Sequence, residues 1–582
     1  MKSMFSPKTD RTLRQYIGRS LLALLIVGTV VSCGGSGGDS VATATATSEP
    51  VPLNEQSRAA ARLLTRASFG PSDTALREVL SFDNHAAWID AQIALPASLQ
   101  LPYTQENSNG SNGRARHEIW WTNAIEGPDQ LRQRVAFALS EIFVVSDLDF
   151  TLSNSQFGMA SYYDMLATRA FGTYRELLEA VTLHPVMGIY LSMLRNEKAD
   201  PTRNVRPDEN YAREVLQLFS IGLHQLDRGA RPVPLNDPAP AYTQENVEEY
   251  ARVFTGWNFA NTDQWVSTNL LPFDKLNPME PVEFYHDTGA KVLLNGTVVP
   301  ANGSARADLE LALDSIADHP NVAPFFSRRL IERLVTSNPS PGYVARVAAV
   351  FDDDGSGLRG NLGAVVKAIL LDSEAQSEGN GAFDFGKLDE PVMRLANVMR
   401  ALDARPGAQA NGVYHGATRT ADRVGEVYGQ SVMRSASVFN FFQPDSRAAT
   451  GGIGPDGLPW VAPERQIMTE AFVASINNDM HQLVYEHHSR ANATDDTVVL
   501  GIEKPLALLT SGTEDWVDWL ELVVLGGHMS PALRQTLTEY MEERMEPVDA
   551  QSPSPSINPE LALTLVLDTL YLTTASPDHL VQ

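Results

Sequence analysis

R-N-V-R-P-D-E-N-Y-A-R-E-V-L-Q-L-F-S-I-G-L-H, residues Arg203 to His224, is the stretch in which charge and apolar periodicity are densest, and it reads as one amphipathic helix. Asp208, after Pro207, is a natural N-cap, because its carboxylate accepts an N–H of the first turn. At about 100° per residue, Tyr211, Ala212, Val215, Leu216, Leu218, Phe219 and Leu223 fill one arc, while Arg206, Asn210, Arg213, Glu214 and Gln217 gather on the other. Gly222 tolerates left-handed geometry and marks the end. The polar arc has two readings. It is a solvated face, or it is a partly buried cluster in which Arg213 pairs with an acid from another helix and burial sets the acidity of Glu214.

The same periodicity recurs on both sides of this stretch. It predicts helices over about 57–69, 73–82, 130–145, 160–182 and 243–254, then over 307–317, 321–336, 341–351, 361–372 and 388–402, and finally over 463–488, 503–510, 514–524, 530–545 and 558–573. His184-Pro185 breaks the 160–182 run, since a residue before proline is pushed out of the helical region. Residues 260–305 are rich in Pro, Asn and Gly, and F-Y-H-D-T-G-A-K-V-L-L-N-G suggests a minor hairpin near 280–300. The fold class is all-α: a large multi-helix domain over 54–582, or two packed helical lobes meeting in the 260–305 region.

The first 32 residues carry a basic start and the apolar run Leu21 to Val30, followed by Val31-Ser32-Cys33. That is a secretory signal, too short for a comfortable membrane span. Val30-Val31-Ser32-Cys33 is similar to a bacterial lipobox, which makes Cys33, the single cysteine, the lipidation site and a lipid anchor the expected membrane attachment. Residues 33–53 read as a flexible Gly/Ser/Ala/Thr tether. Gly34 after the cysteine points to the outer membrane of a diderm cell envelope. The chain of 582 residues carries 45 Lys and Arg against 71 Asp and Glu. Such a surface repels nucleic acid, which is excluded as a partner.

P-D-E-N-Y-A-R-E-V-L-Q-L-F-S-I-G-L-H resembles the signature of the bacterial family called domain of unknown function 1800. Further stretches fall in matching order: L-L-T-R-A-S-F-G-P-S, L-R-Q-R-V-A-F-A-L-S-E-I-F-V-V-S, Y-T-Q-E-N-V-E-E-Y-A-R-V-F-T-G-W, F-Y-H-D-T-G-A-K, H-P-N-V-A-P-F-F-S-R-R-L-I, S-V-F-N-F-F-Q-P-D and V-A-P-E-R-Q-I. The resemblance implies an exported, mainly helical protein without an assigned activity, and a candidate partner in an exported family of unknown function related to sulfatases. Its polar motif positions fall on Glu209, Asn210, Arg213, Glu214, Thr255, Trp257, His286 and Asp287.

Two function classes follow. The first is an envelope binding or assembly component, with Glu209, Asn210, Gln217 and Trp257 as binding residues. The alternative is an extracellular hydrolase of a polymer such as a glycan, with Glu214 as acid or base, Arg213 tuning it, and His286-Asp287 in support. Glu209 and Glu214 sit about 140° apart around a helix, which does not impose the facing geometry of a glycosidase pair. No cofactor is implied. A metal would need His286 joined by His184, His224 or His319, and no spacing requires that. Asp352-Asp353-Asp354-Gly355-Ser356-Gly357 matches half of a calcium loop, but Gly363 stands at the twelfth position, so an acidic turn is the better reading. Serine-hydrolase, nucleotide-triphosphatase and dinucleotide motifs are absent. The aromatic groups at Trp120-Trp121, Trp257-Phe259 and Phe439-Phe442 are candidates for sugar stacking or for core.

Overall fold

Helix starts are written locally. Asn54, Ser72, Thr173, Thr243, Ser304, Ser340, Asn361 and Ser530 each place a side-chain oxygen on a backbone N–H of the turn that follows. Pro341, Pro391, Pro531 and Pro559 occupy first turns, where a missing N–H costs nothing. A computed structural model describes residues 49–265, 273–377, 386–406, 414, 423–447, 451–454, 457–486, 488, 498–545 and 557–581. The signal segment, Cys33, most of the tether and His487 lie outside them.

The fold is predominantly helical, and the described strands form three two-residue antiparallel pairs. Lys291–Val292 pairs with Val298–Val299 in the expected hairpin. Among the described residues no helix is long and apolar enough to cross a membrane. Buried apolar side chains from Val51 to Leu570 join in one continuous cluster. The Arg203–His224 stretch enters it through Tyr211, Val215, Leu216 and Phe219, all fully buried, and side chains of this size contribute about 1.5–3 kcal/mol each.

Several boundaries differ from the periodic reading, each for a local reason. The 160–182 run is two helices, Gln156–Arg169 and Tyr174–Leu183, because Thr173 and Glu176 close a capping box between them. Pro185 opens a short helix, Pro185–Tyr190, instead of leading into a loop. The 463–488 run is a 3-10 turn, Pro463–Gln466, followed by Glu470–Glu486. Arg114–Glu126 is a helix that periodicity misses, because Arg116, His117 and Glu118 are buried beside Trp120 and Trp121 and erase the contrast between faces.

The central stretch departs most. Its α-helix is only Asn210–Glu214, and Val215–Ser220 continues as a π-helix. Ile221 and Gly222 both donate their N–H to Leu216 O at 3.0 Å, which inserts the extra residue per turn. Gly222 then turns left-handed at φ +76°, with a methyl there set to meet the Phe325 ring at 2.9 Å. Asn321 caps the end by donating its side-chain amide to Ile221 O (3.1 Å) and His224 O (2.7 Å). The π turn and this cap swing Gln217 and Leu218 away from the Arg213–Glu214 face and toward the Val322–Leu334 helix.

Candidate functional site

The polar arc of the central helix is paired locally. Asp208 Oδ1 accepts the Asn210 N–H at 2.8 Å, but the N-cap position falls on Glu209, one residue later than expected, because the helix starts at Asn210. Arg213 Nη2 donates to Glu209 Oε2 at 2.8 Å and to Gln244 Oε1 at 3.2 Å, and Gln244 Nε2 donates to Glu209 at 2.8 Å. The acid that Arg213 meets is therefore on its own helix, four residues back, and not on another one as the cluster reading required. Asn210 is exposed. Glu214 is half-buried; burial pushes its carboxyl up, opposed by Arg213, and its Oε2 has no hydrogen-bond partner among the described residues.

Thr255, Trp257, His286 and Asp287 come together elsewhere, in a buried ionic knot. His286 is fully buried, with Nδ1 3.0 Å from Thr255 O and Nε2 3.1 Å from Asp308 Oδ2. Lys291 Nζ donates to the same Asp308 oxygen at 2.7 Å. Asp287 takes a two-pronged pair from Arg252 at 3.0 Å on each oxygen; burial pushes its carboxyl up, but these bonds outweigh it and the net direction is down. Trp257 is buried beneath Arg306, whose guanidinium stands 5.2 Å from the ring. Gly256, at φ +87°, lies so close that a methyl would meet His286 at 2.9 Å. The knot joins the Gln244–Val253 helix, the hairpin and the Ala305–Ala317 helix.

Histidines are dispersed. His184 packs edge-on to Tyr162 at 5.1 Å, His319 Nδ1 accepts the Asn321 N–H at 3.2 Å, and His224 is exposed. Among the described residues no three potential ligands gather as a metal site. The Asp352–Gly357 segment is an acidic turn: Asp353 Oδ1 accepts the N–H of Gly355 and Gly357, and Asp354 Oδ2 accepts from Asn361 at 2.7 Å. Asp352 pairs with Arg228 and Arg359.

The site the structure builds lies beside the π turn. A cleft of about 510 Å³ is walled by Gln217 and Leu218, by Phe325, Arg328, Arg329 and Arg333 of the Val322–Leu334 helix, by Glu141, and by Val438, Phe439, Asp445, Arg447 and Val461. Five of the quoted motifs thus converge on it, namely those containing Gln217, Glu141, Arg329, Phe439 and Val461. Arg213, Glu214, His286 and Trp257 do not line it; Gln217 does. Glu332 accepts from Arg328 at 2.8 Å and from Arg329 at 2.6 Å, so one acid holds two guanidinium groups in place. Arg333 stacks over Phe442 at 4.5 Å.

Glu141, only 5% exposed, is the cleft's most unusual side chain. Its Oε1 accepts from Asn440 Nδ2 at 2.9 Å, and Asn440 reaches it from a left-handed turn at φ +66° that asparagine tolerates. Its Oε2 meets no donor among the described residues, and Arg333 Nε stands 3.9 Å away. Behind it Lys387 Nζ bridges Glu390 (3.2 Å) and Glu464 (3.5 Å), all three buried. Burial, then the neighbouring Glu390 carboxylate, push Glu141 well up. Burial also opposes the charge of Glu390, but Lys387, Arg333 and the bond to Glu141 outweigh it and hold that carboxyl down. The two carboxyls are thus pushed apart, Glu141 toward its neutral form and Glu390 toward its ionised one. Arg134, fully buried nearby, has its Nε and Nη1 without partners among the described residues. Sequence reading missed this cluster, although Arg134 and Glu141 lie seven residues apart on one face of an otherwise apolar run.

Residues 62–581 match a family described as "Protein of unknown function (DUF1800)", and the chain belongs to that family. No curated protein and no solved structure matches it.

Proposed function

We propose that this DUF1800 protein is an exported, lipid-anchored component of the cell envelope that binds an anionic molecule in the cleft beside its π turn. The basic start, the apolar run to Val30 and the lone Cys33 support export and acylation. One observation carries the binding reading. In a chain with a formal charge of −26, the cleft collects Arg328, Arg329, Arg333 and Arg447 against Glu141, Glu332 and Asp445. With four guanidinium groups against three carboxyl groups the balance favours an incoming anion. Guanidinium forks match carboxylate and phosphate oxygens two at a time.

The test is ligand-observed NMR of residues 54–582 with acetate and methyl phosphate at low ionic strength. Both should bind saturably and weaken with salt. The double variant Arg329→Ala/Arg447→Ala should bind at least about fivefold more weakly, the loss of a charge-assisted contact worth ~1 kcal/mol or more, while Arg213→Ala binds as wild type. Equal binding by the double variant overturns the reading.

A further inference from the structure

The mouth of the cleft is apolar on one side. Leu223, Val233, Leu235, Phe439 and Ile453 are all exposed, Ile453 at 67% and Leu223 at 52%. Singly, such residues need no explanation; five around one opening form a patch. Their continuity is visible in the backbone and the packing. Leu223 and Phe439 line the cleft directly, and Val233 follows Pro232, which also lines it. Leu223 O accepts the Ala241 N–H at 2.9 Å and Gln225 O accepts the Val233 N–H at 2.8 Å, so the 223–241 loop folds back along the rim. Leu235 reaches across to Gly457, where a methyl would stand 3.2 Å from its Cδ2, and Ile453 bridges to Pro459, another lining residue.

The same cleft is lined by the guanidinium groups of Arg328, Arg329 and Arg333, held by Glu332 and Phe442. A small hydrophilic anion would use the arginines and leave the rim wet. A purely apolar ligand would bury the rim and make no use of the guanidinium groups. We infer that the cleft takes an acidic amphiphile, with its carboxylate or phosphate head on the arginines and its hydrocarbon chain laid across Leu223, Leu235 and Ile453. The inference rests on the anion-binding reading above and adds the ligand's class to it.

The probes are acetate, octanoate and 1-octanol, titrated calorimetrically into residues 54–582 below any micelle-forming concentration. Each methylene that is buried on the rim strengthens binding roughly fourfold, so octanoate should bind at least about a hundredfold more tightly than acetate. Leu235→Ser/Ile453→Ser, two exposed positions, should remove about tenfold of that advantage and leave acetate unchanged. Octanol should bind at least about tenfold more weakly than octanoate, the margin coming from the head group. Acetate binding that depends on Arg329 and Arg447, with octanoate no tighter, overturns the amphiphile and keeps the anion site. Tight octanoate binding that ignores the arginine pair overturns the inference as well, and no binding of either acid overturns both readings.

Discussion

Glu214 is held half-buried beside Arg213, with one carboxylate oxygen lacking a donor, and Tyr242 nearby has a buried hydroxyl that also lacks a partner among the described residues. Burial raises the pKa of Glu214 above its unfolded value, opposed by Arg213. A carboxyl of that kind keeps its proton longer when folded, so the stability it leaves intact at low pH is lost as pH rises from the unfolded value through the folded one. Glu214→Gln removes the penalty and gives Tyr242 an amide to meet. Its unfolding midpoint at pH 8 should equal wild type within about 2 °C or exceed it, with a shallower fall between pH 5 and 8. A loss of more than about 3 kcal/mol would instead mark a buried ion pair. The sequence made Arg213 and Glu214 prominent because charge on a periodic helix stands out. Glu141 and Arg333 were as plain in the string, but a lone polar residue in an apolar helix reads as an edge of the core until its neighbours are known, and those lie hundreds of residues away.

At the level of elements, caps and prolines act within four residues: Ser72, Thr243, Ser340 and Ser530 start the helices that follow them. The π turn was not legible. It depends on Asn321 and Phe325 meeting the end of the central helix, and a fixed 100° step carries no information about that contact. Gly222 is the hinge of this arrangement. Gly222→Ala meets both a left-handed backbone and the Phe325 ring, whereas Gly355→Ala, at φ +91° with open space around it, meets only the first. Chemical denaturation should show Gly222→Ala destabilising by at least about 1 kcal/mol more than Gly355→Ala, because only the former crowds the core. Equal losses would mean that Phe325 moves aside freely and that the cleft wall is not fixed by this contact.

Over the whole molecule, an acidic chain gathers its arginines where distant segments meet: Glu141, the turn at 217–226, the 322–334 helix and residues 438–447. Sequence supplied the helical class and the hairpin, since both follow from periods and breakers, but it placed the candidate site on the most conspicuous helix. The structure puts the last turn of that helix, and not its charged face, at the opening. Hydrogen exchange with mass-spectrometric readout decides between the two faces, comparing residues 54–582 with and without saturating methyl phosphate. The account predicts added protection at 217–226, 322–334 and 438–447. Protection confined to 209–214 and 244–253, with the cleft segments unchanged, would contradict it.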